Sequence, residues 1–405
     1  MRSTEVSMNY KYYLRKSRDV KWRDTLAVFP MAAGRIMAFF AKNRYRDVWA
    51  IAERKTEARD NGYHFFKYMV QNHPEQKCVY VIDKNCPDYQ KVKNLGQIVQ
   101  FGSIRHWMLY FSCRYLISSQ RFLPNGYLGT LLERMKLCNP EHVFLQHGIT
   151  INKPEYLRAD RWKVKLFIAA VHQEANFVVK ELGYAPETVV CTGFSRFDAL
   201  HDFQVKKNRI MIMPTWRKWL QLRSEQHDGL TVEFEASEYY QRWKEFLSSA
   251  DLSALIEKYG LEVIFVPHPN MRSLPALQKI IGPAIHMADI DSIDLQELMK
   301  SSEMIITDYS SVFFDMAYMK KPVIFYQFDA EQFRKYHYEE GWFHYNASKL
   351  GRICTTSESV TDTLNTIIDA GYQVDEAFLG EHGRFFELYD QNNSQRIYDA
   401  ILRAE

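Results

Sequence analysis

Residues 304–329, MIITDYSSVFFDMAYMKKPVIFYQFD, constrain the fold more than any other part of the chain. Met304, Ile305 and Ile306 form an apolar run of strand length. They meet a block of turn and capping residues, Thr307, Asp308, Tyr309, Ser310 and Ser311. From Ser311 the apolar spacing becomes helical, through Val312, Phe313, Met316, Ala317 and Tyr318. Lys320, Lys321 and Pro322 end that helix, and residues 323–326 read as the next buried strand. Strand, helix and strand in this order make a crossover unit, so the two strands are expected to be parallel. A helix that opens just after a strand presents unpaired N–H groups and a positive dipole end, a seat for phosphate. Ser310 and Ser311 add hydroxyl donors there. Asp315, one turn beyond Ser311, can accept from a ribose or polyol hydroxyl. The structural alternative is that the serines only cap the helix and Asp315 is solvated.

The same alternation extends over the chain. Short apolar runs at 48–51, 78–82, 98–101, 115–117, 143–145, 167–170 and 189–191 read as strands. Residues 61–70 read as a helix with an aromatic face. After a lysine-bearing linker at 202–208 a second series begins, with strands at 210–213, 263–266, 304–306, 323–326 and 353–355. A long helical stretch is expected at 237–259 and a helical tail at 376–402. The fold class is therefore α/β, with two doubly wound parallel sheets in tandem and ligand expected in a cleft at the C-terminal ends of the strands. The domain bounds are 1–46, 47–205, 206–385 and 386–405.

Charge is uneven along the chain. Residues 1–46 carry eleven Lys and Arg against three acidic residues, while the whole chain carries a net +3. That overall charge gives no nucleic-acid signature. The basic, aromatic beginning leads to an apolar patch that includes Leu26, Phe29, Ile36, Phe39 and Phe40. Such a segment can lie on an anionic membrane surface, or be a packing helix with a solvated cationic face. Residues 28–41 are interrupted by Arg35 and too short to span a bilayer, and no signal-peptide pattern is present. The six scattered cysteines form no C-x-x-C pair and suit a reduced cytosolic protein.

Several polar residues stand where strands stop. His147, followed by Gly148, is placed to act as a general base. His268 is held between two prolines and can donate to phosphate or protonate a leaving group. Thr215 and Arg217 end the first strand of the second series, and Arg217 is a candidate phosphate clamp. Gly193, Ser195, Arg196 and Asp198 mark another joint, with an interdomain turn bearing a surface ion pair as the structural alternative. No carboxylate cluster or His/Cys spacing suits a metal, and no Walker loop or G-x-G-x-x-G motif occurs.

Taken together, QHG at 146–148, PTWR at 214–217, PHP at 267–269, TDYSSVFFDMAY at 307–318 and KPVIFYQFD at 321–329 resemble the CDP-glycerol glycerophosphotransferase family. These are the teichoic-acid primases and polymerases, with relatives in capsule synthesis. DNGY at 60–63 and YEEGWF at 338–343 also look like the family. The resemblance implies a GT-B type fold of two Rossmann-like domains with an interdomain cleft. It implies CDP-glycerol as donor, an N-terminal acceptor domain and a C-terminal donor domain. A lipid-linked saccharide or poly(glycerol phosphate) is the implied acceptor. It makes His147 the base and places His268 at the diphosphate. Thr307, Asp308, Ser310 and Ser311 then lie at the phosphates and Asp315 near the ribose. Many relatives carry a Pro and a paired Lys after the HG; here the run is ITINKP at 149–154, and Lys153 is the candidate for that acceptor-side work. The expected setting is the inner face of the cell membrane, with no nucleic-acid partner. No cofactor is firmly implied, and a divalent metal is left open. The rival readings are a CDP-ribitol transferase, a GT-B glycosyltransferase using a sugar nucleotide, and a non-catalytic nucleotide-binding scaffold.

Overall fold

The computed structural model describes residues 22–138, 140–221, 234–268, 271, 279–289 and 292–404. The basic segment before Trp22 lies outside the described residues, as does Pro269 of the Pro-His-Pro turn. Two compact units divide the chain. One ends at His147 and takes back Val164–Phe167; the other comprises Gly148–Lys163 and everything from Ile168 onward.

The first seven strands are β1 (Trp49–Ala52), β2 (Cys78–Ile82), β3 (Gln97–Gln100), β4 (Tyr115–Ser118), β5 (Glu141–Phe144), β6 (Leu166–Ala169) and β7 (Val189–Cys191). They form one sheet in the order β3-β2-β1-β4-β5-β6-β7. Trp49 lies opposite Cys78 on one side and Tyr115 on the other, both in parallel register. These strands are short and apolar on both faces, as a sheet covered on both sides requires. In the first unit, helix α1 (Val28–Tyr45) precedes β1, and α2 (Asn61–Asn72) follows it. Helix α3 (Ile104–Ser112) carries Trp107, Met108, Tyr110 and Phe111 into a cluster with Ala38 of α1. A Cβ at Gly34 would stand 2.6 Å from the Trp107 Cβ, so α1 and α3 meet at near-backbone distance.

The second sheet contains β8 (Arg209–Met213), β9 (Glu262–Phe265), β10 (Ile285–Met287), β11 (Met304–Thr307), β12 (Val323–Tyr326) and β13 (Arg352–Cys354). Its order is β10-β9-β8-β11-β12-β13. The expected crossover unit is present: Ile305 pairs with Val323 in parallel. One face of the sheet, through Ile210, Ile212, Val263, Phe265, Ile306 and Ile324, packs on Tyr240, Trp243 and Phe246 and on Val360 and Leu364. Fully burying each such side chain contributes roughly 1.5–3 kcal/mol.

Three expectations need adjustment. The 237–259 stretch is two helices, Glu238–Leu247 and Ala250–Tyr259, because the Ser249 hydroxyl accepts from Leu252 N–H and starts a new helix. The tail is also two helices, Glu376–Phe385 and Asn393–Arg403. Asp198, thought of as half of a surface ion pair, accepts from the backbone N–H groups of Asn393 and Ser394 and so fixes the start of the last helix. β10 had no counterpart in the sequence reading: it is a three-residue edge strand whose His286 and Met287 are exposed, so it shows no apolar run.

Both sheets reverse their strand order at the first strand of the series, between β1 and β4 and between β8 and β11. In doubly wound sheets, the C-terminal ends of strands at such a reversal are where ligands bind.

Candidate functional site

At the reversal in the first unit, Glu53 follows β1 and is buried. Its carboxylate accepts from the backbone N–H groups of Arg59, Asp60 and Tyr63, at 2.9, 2.9 and 2.6 Å. Burial, with Asp60 beside it, pushes the carboxyl up to about 8, against the pull of those three N–H groups. This anchor sets the first turn of α2. Gly62 N–H donates to Ser119 Oγ at 2.9 Å, and a Cβ on Gly62 would stand 2.6 Å from the Ala52 carbonyl oxygen. Asn61 is fully buried, and its Nδ2 donates to the carbonyls of Leu145 and Gln146 at 3.2 and 2.7 Å. Gln146 is held at φ 61°, a left-handed backbone that a non-glycine residue adopts at a cost. His147, next in the chain, is exposed, and its N–H donates to Gln146 Oε1 at 3.1 Å.

The residues after His147 belong to the second unit and are clamped within it. A Cβ on Gly148 would stand 3.0 Å from Ser311 Oγ, so the glycine of the HG pair lies against the second serine of the TDYSS block. Buried Glu174 accepts from Thr150 N–H at 2.6 Å and Ala170 N–H at 2.8 Å, and burial pushes its carboxyl up to about 7. Trp342 Nε1 donates to Thr150 O at 2.7 Å, and Arg334 donates to Asn152 Oδ1 at 3.0 Å. Gly341 has room for no Cβ, which would stand 1.8 Å from Ile151 O. Lys153 lies in a half-exposed ion pair with Glu181 at 2.7 Å.

At the β8/β11 reversal the geometry departs from five expectations. Arg217 is not a phosphate clamp, because its side chain is 0% exposed and its donors are occupied. Nε and NH2 reach Asp329 at 2.7 and 3.0 Å, NH2 also contacts Asp308 at 2.9 Å, and NH1 donates to Thr215 O at 2.7 Å. Asp308 and Asp329 hold its charge more firmly than usual, although burial opposes that charge. Asp308 is equally buried; it accepts from Thr215 N–H and Tyr309 N–H at 2.7 Å each. Thr307 donates its hydroxyl to Met213 O at 2.6 Å and ties β11 to β8. Asp315 does not face a ribose. Both its oxygens take a fork from Arg196, at 2.7 and 2.9 Å, with both side chains buried. Arg196, from the joint at 193–198, is closed in that pair.

What remains for a ligand at this end is a smaller set. Ser310 and Ser311 are half-buried, and the helix they precede, Phe313–Tyr318, starts two residues later than expected. The Thr215 hydroxyl is buried beside the Asp308 carboxyl, which it helps hold down against burial, and it has no closer side-chain or backbone partner among the described residues. His268 follows β9, with the Trp216 ring 5.9 Å away between centroids. Trp216 also packs on His337, at 4.7 Å. His337 was missed by the sequence reading, having no strand end or motif to mark it. Its Nδ1 accepts from Lys218 N–H at 3.0 Å, so the proton sits on Nε2, which is buried without a partner among the described residues. Burial, then the charges of Arg217 and Lys218 and nearby His268, hold its imidazole down at about 3, so it stays neutral.

Among the described residues, no group of three or more His, Cys, Asp or Glu side chains is arranged to hold a metal. A cavity of about 560 Å³ lies at the opposite, N-terminal ends of β12 and β13, lined by Tyr345, Lys349, Arg352, Asp375 and Phe378 among others. It touches none of the residues above.

Residues 35–403 match the family of CDP-glycerol:poly(glycerophosphate) glycerophosphotransferases. The minor teichoic acid biosynthesis protein GgaB of Bacillus subtilis (strain 168) is 31% identical over 371 residues, 89% of this chain and 40% of GgaB. The teichoic acid poly(glycerol phosphate) polymerase of the same strain is 24% identical over 383 residues, 84% of this chain and 46% of that protein. The chain thus spans less than half the length of these two relatives. Among solved structures, the wall teichoic acid polymerase TagF superposes with a TM-score of 0.65 at 17% identity, covering 97% of each chain. That likeness shows the fold, two parallel-sheet α/β halves of the GT-B type. With the match running over nearly its whole length, the chain belongs to the CDP-glycerol:poly(glycerophosphate) glycerophosphotransferase family.

Proposed function

We propose that this chain transfers glycerol phosphate from CDP-glycerol to a hydroxyl of a lipid-linked saccharide or poly(glycerol phosphate) acceptor. The acceptor oxygen bonds to the phosphorus that carries glycerol. The bond from that phosphorus to the CMP oxygen breaks, and CMP leaves with the electron pair. His147 takes the acceptor's proton. His268, Ser310, Ser311 and the Thr215 hydroxyl meet the charge that develops on the diphosphate. Phosphoryl transfer depends mostly on positioning and electrostatics, so a site of this composition is sufficient in kind. The observation that carries the reading is the approach of Gly148 to Ser311 within the second unit, which sets the glycine of the family's HG pair against its TDYSS block. His147→Ala is expected to lower turnover by roughly 10²–10⁴-fold while CDP-glycerol still raises the melting temperature. Near-normal turnover in that variant would refute the base. A donor series of CDP-glycerol, CDP-ribitol and a UDP-sugar, read as product mass, separates this reading from its rivals.

The setting we propose is the inner surface of the cell membrane. With α1 packed on α3 by one side, its other side exposes Phe29, Ile36, Phe39 and Phe40, the last two at 80% and 82%. The apolar stretch is longer than residues 28–41 suggested: Asp24–Ala41, of mean hydropathy 1.3, is long and apolar enough to cross a bilayer by length and composition alone. Its docking along α3 favours lying in the interface with the aromatic side down. Replacing Phe39 and Phe40 by Ser is expected to weaken sedimentation with anionic vesicles several-fold and to leave the melting temperature unchanged, since exposed substitutions shift stability by only about 0.5 kcal/mol. Unchanged vesicle binding would remove α1 from this role.

A further inference from the structure

We propose that Asn61 is a positioning residue for His147. The proposal rests on the reading of His147 as the base and adds the device that aims it.

Asn61 stands at the first position of α2, and its side chain has nowhere else to go. The turn around it is pinned by the Glu53 carboxylate through three backbone N–H groups, of Arg59 and Asp60 before it and Tyr63 after it. Asp60 Oδ1 accepts from Asn61 N–H at 2.8 Å, and the residue after it is fixed by the Gly62 to Ser119 hydrogen bond. So anchored, Asn61 Nδ2 reaches the two consecutive carbonyls that precede His147. The Gln146 peptide needs such a hold. Its φ of 61° is unfavourable for a residue with a Cβ, and the alternative extended backbone would swing His147 away from its present exit direction. An amide suits this task better than a hydroxyl or a carboxylate. It offers two N–H donors from one rigid plane, whereas Asp would set negative charge against two carbonyl oxygens.

The test is a double-mutant cycle in the full chain, with Asn61→Ala and His147→Ala singly and together. Asn61→Ala alone should cost about 10²-fold in kcat, the scale of a reacting group displaced by about 1 Å, with the CDP-glycerol KM nearly unchanged. In the His147→Ala background it should cost nothing further, because its effect passes through that imidazole. An equal loss in both backgrounds, or a folded Asn61→Ala enzyme with wild-type kcat, overturns the proposal. Should Asn61→Ala fail to fold, Asn61→Ser keeps the side chain small and polar and enters the same cycle. The His147 imidazole resonance, followed by NMR through a pH titration, supplies a readout that needs no turnover. A titration curve moved in Asn61→Ala supports the positioning role, and an unmoved curve overturns it. If instead His147→Ala retains full activity, the assignment of the base fails, and the NMR titration still decides whether Asn61 sets the environment of that ring.

Discussion

The two strand-order reversals solve one problem in two ways. Each must hold a tight turn beyond a buried strand, and each does so with a buried carboxylate that accepts backbone N–H groups. At the first reversal Glu53 does this with no cationic partner in hydrogen-bond contact among the described residues, and burial raises its carboxyl to about 8. At the second, Asp308 shares a buried network with Arg217 and Asp329. The difference teaches what kind of residue a motif contains. In the TDYSS block, Thr307 and Asp308 build the turn, and the serines beyond it are the residues proposed to meet the ligand. At the first reversal the whole anchor stands away from the HG pair in sequence and reaches it through Asn61.

The largest effect expected from this contrast is at Arg217. Arg217→Met leaves Asp308 and Asp329 buried together without a cation, a change that costs about 3–5 kcal/mol in comparable buried pairs. Denaturant unfolding should therefore show a large loss, and CDP-glycerol should bind whatever protein remains folded. If stability hardly changes while the CDP-glycerol KM rises steeply, Arg217 is a phosphate clamp after all and the contrast fails.

Glu53 gives the next effect, and its sign follows from the direction of its shift. In the unfolded chain the carboxyl loses its proton near 4.5, and in the folded protein near 8. Between those values the folded state binds the extra proton, so this group's contribution is full below 4.5 and is lost as pH rises through about 8. The limit is about 1.4 kcal/mol for each pH unit of that window. The melting temperature should fall from about pH 6 to about pH 9. Glu53→Gln should flatten part of that fall. Glu174, raised to about 7 by the same cause, contributes over a lower range and keeps its share in that variant. A wild-type slope retained in Glu53→Gln would show that the three N–H groups hold the carboxylate ionised throughout.

Much of this was legible in the residues. Strands β2, β7 and β12 fall at the expected positions, because short apolar runs between turn residues leave few choices once both sheet faces are covered. The candidate site was less legible, for a physical reason. A motif marks residues that belong together without saying whether they touch a ligand or one another. Arg217, with its fork of donors at a strand end, reads as a clamp until Asp329 is found beside it, and Asp329 lies 112 residues away in the chain. Arg196 and Asp315, separated by 119, mislead in the same way. Glu53 gave no signal at all. His337 is hidden because its role depends on a tautomer fixed by a backbone N–H at the start of a helix 119 residues away in the chain.

The smallest effect concerns Thr215, at the second reversal. Its backbone is part of the turn, with its N–H on Asp308 and its carbonyl under Arg217, while its buried hydroxyl lies beside the Asp308 carboxyl. Thr215→Val preserves shape and removes only that hydroxyl. Because the hydroxyl supports the buried Asp308 carboxyl from the side, folding stability should hold or fall slightly. A ligand oxygen that used the hydroxyl would lose one hydrogen bond, about 0.5–1.5 kcal/mol and thus up to about tenfold in CDP-glycerol affinity. Calorimetric titration of CDP-glycerol and CMP into both proteins separates the cases. Equal loss for the two ligands places the contact on the cytidylate, and loss for CDP-glycerol alone places it on the glycerol-bearing phosphate. If neither affinity changes, the hydroxyl belongs to the scaffold with Thr307 and Asp308, and the serine pair alone serves the diphosphate.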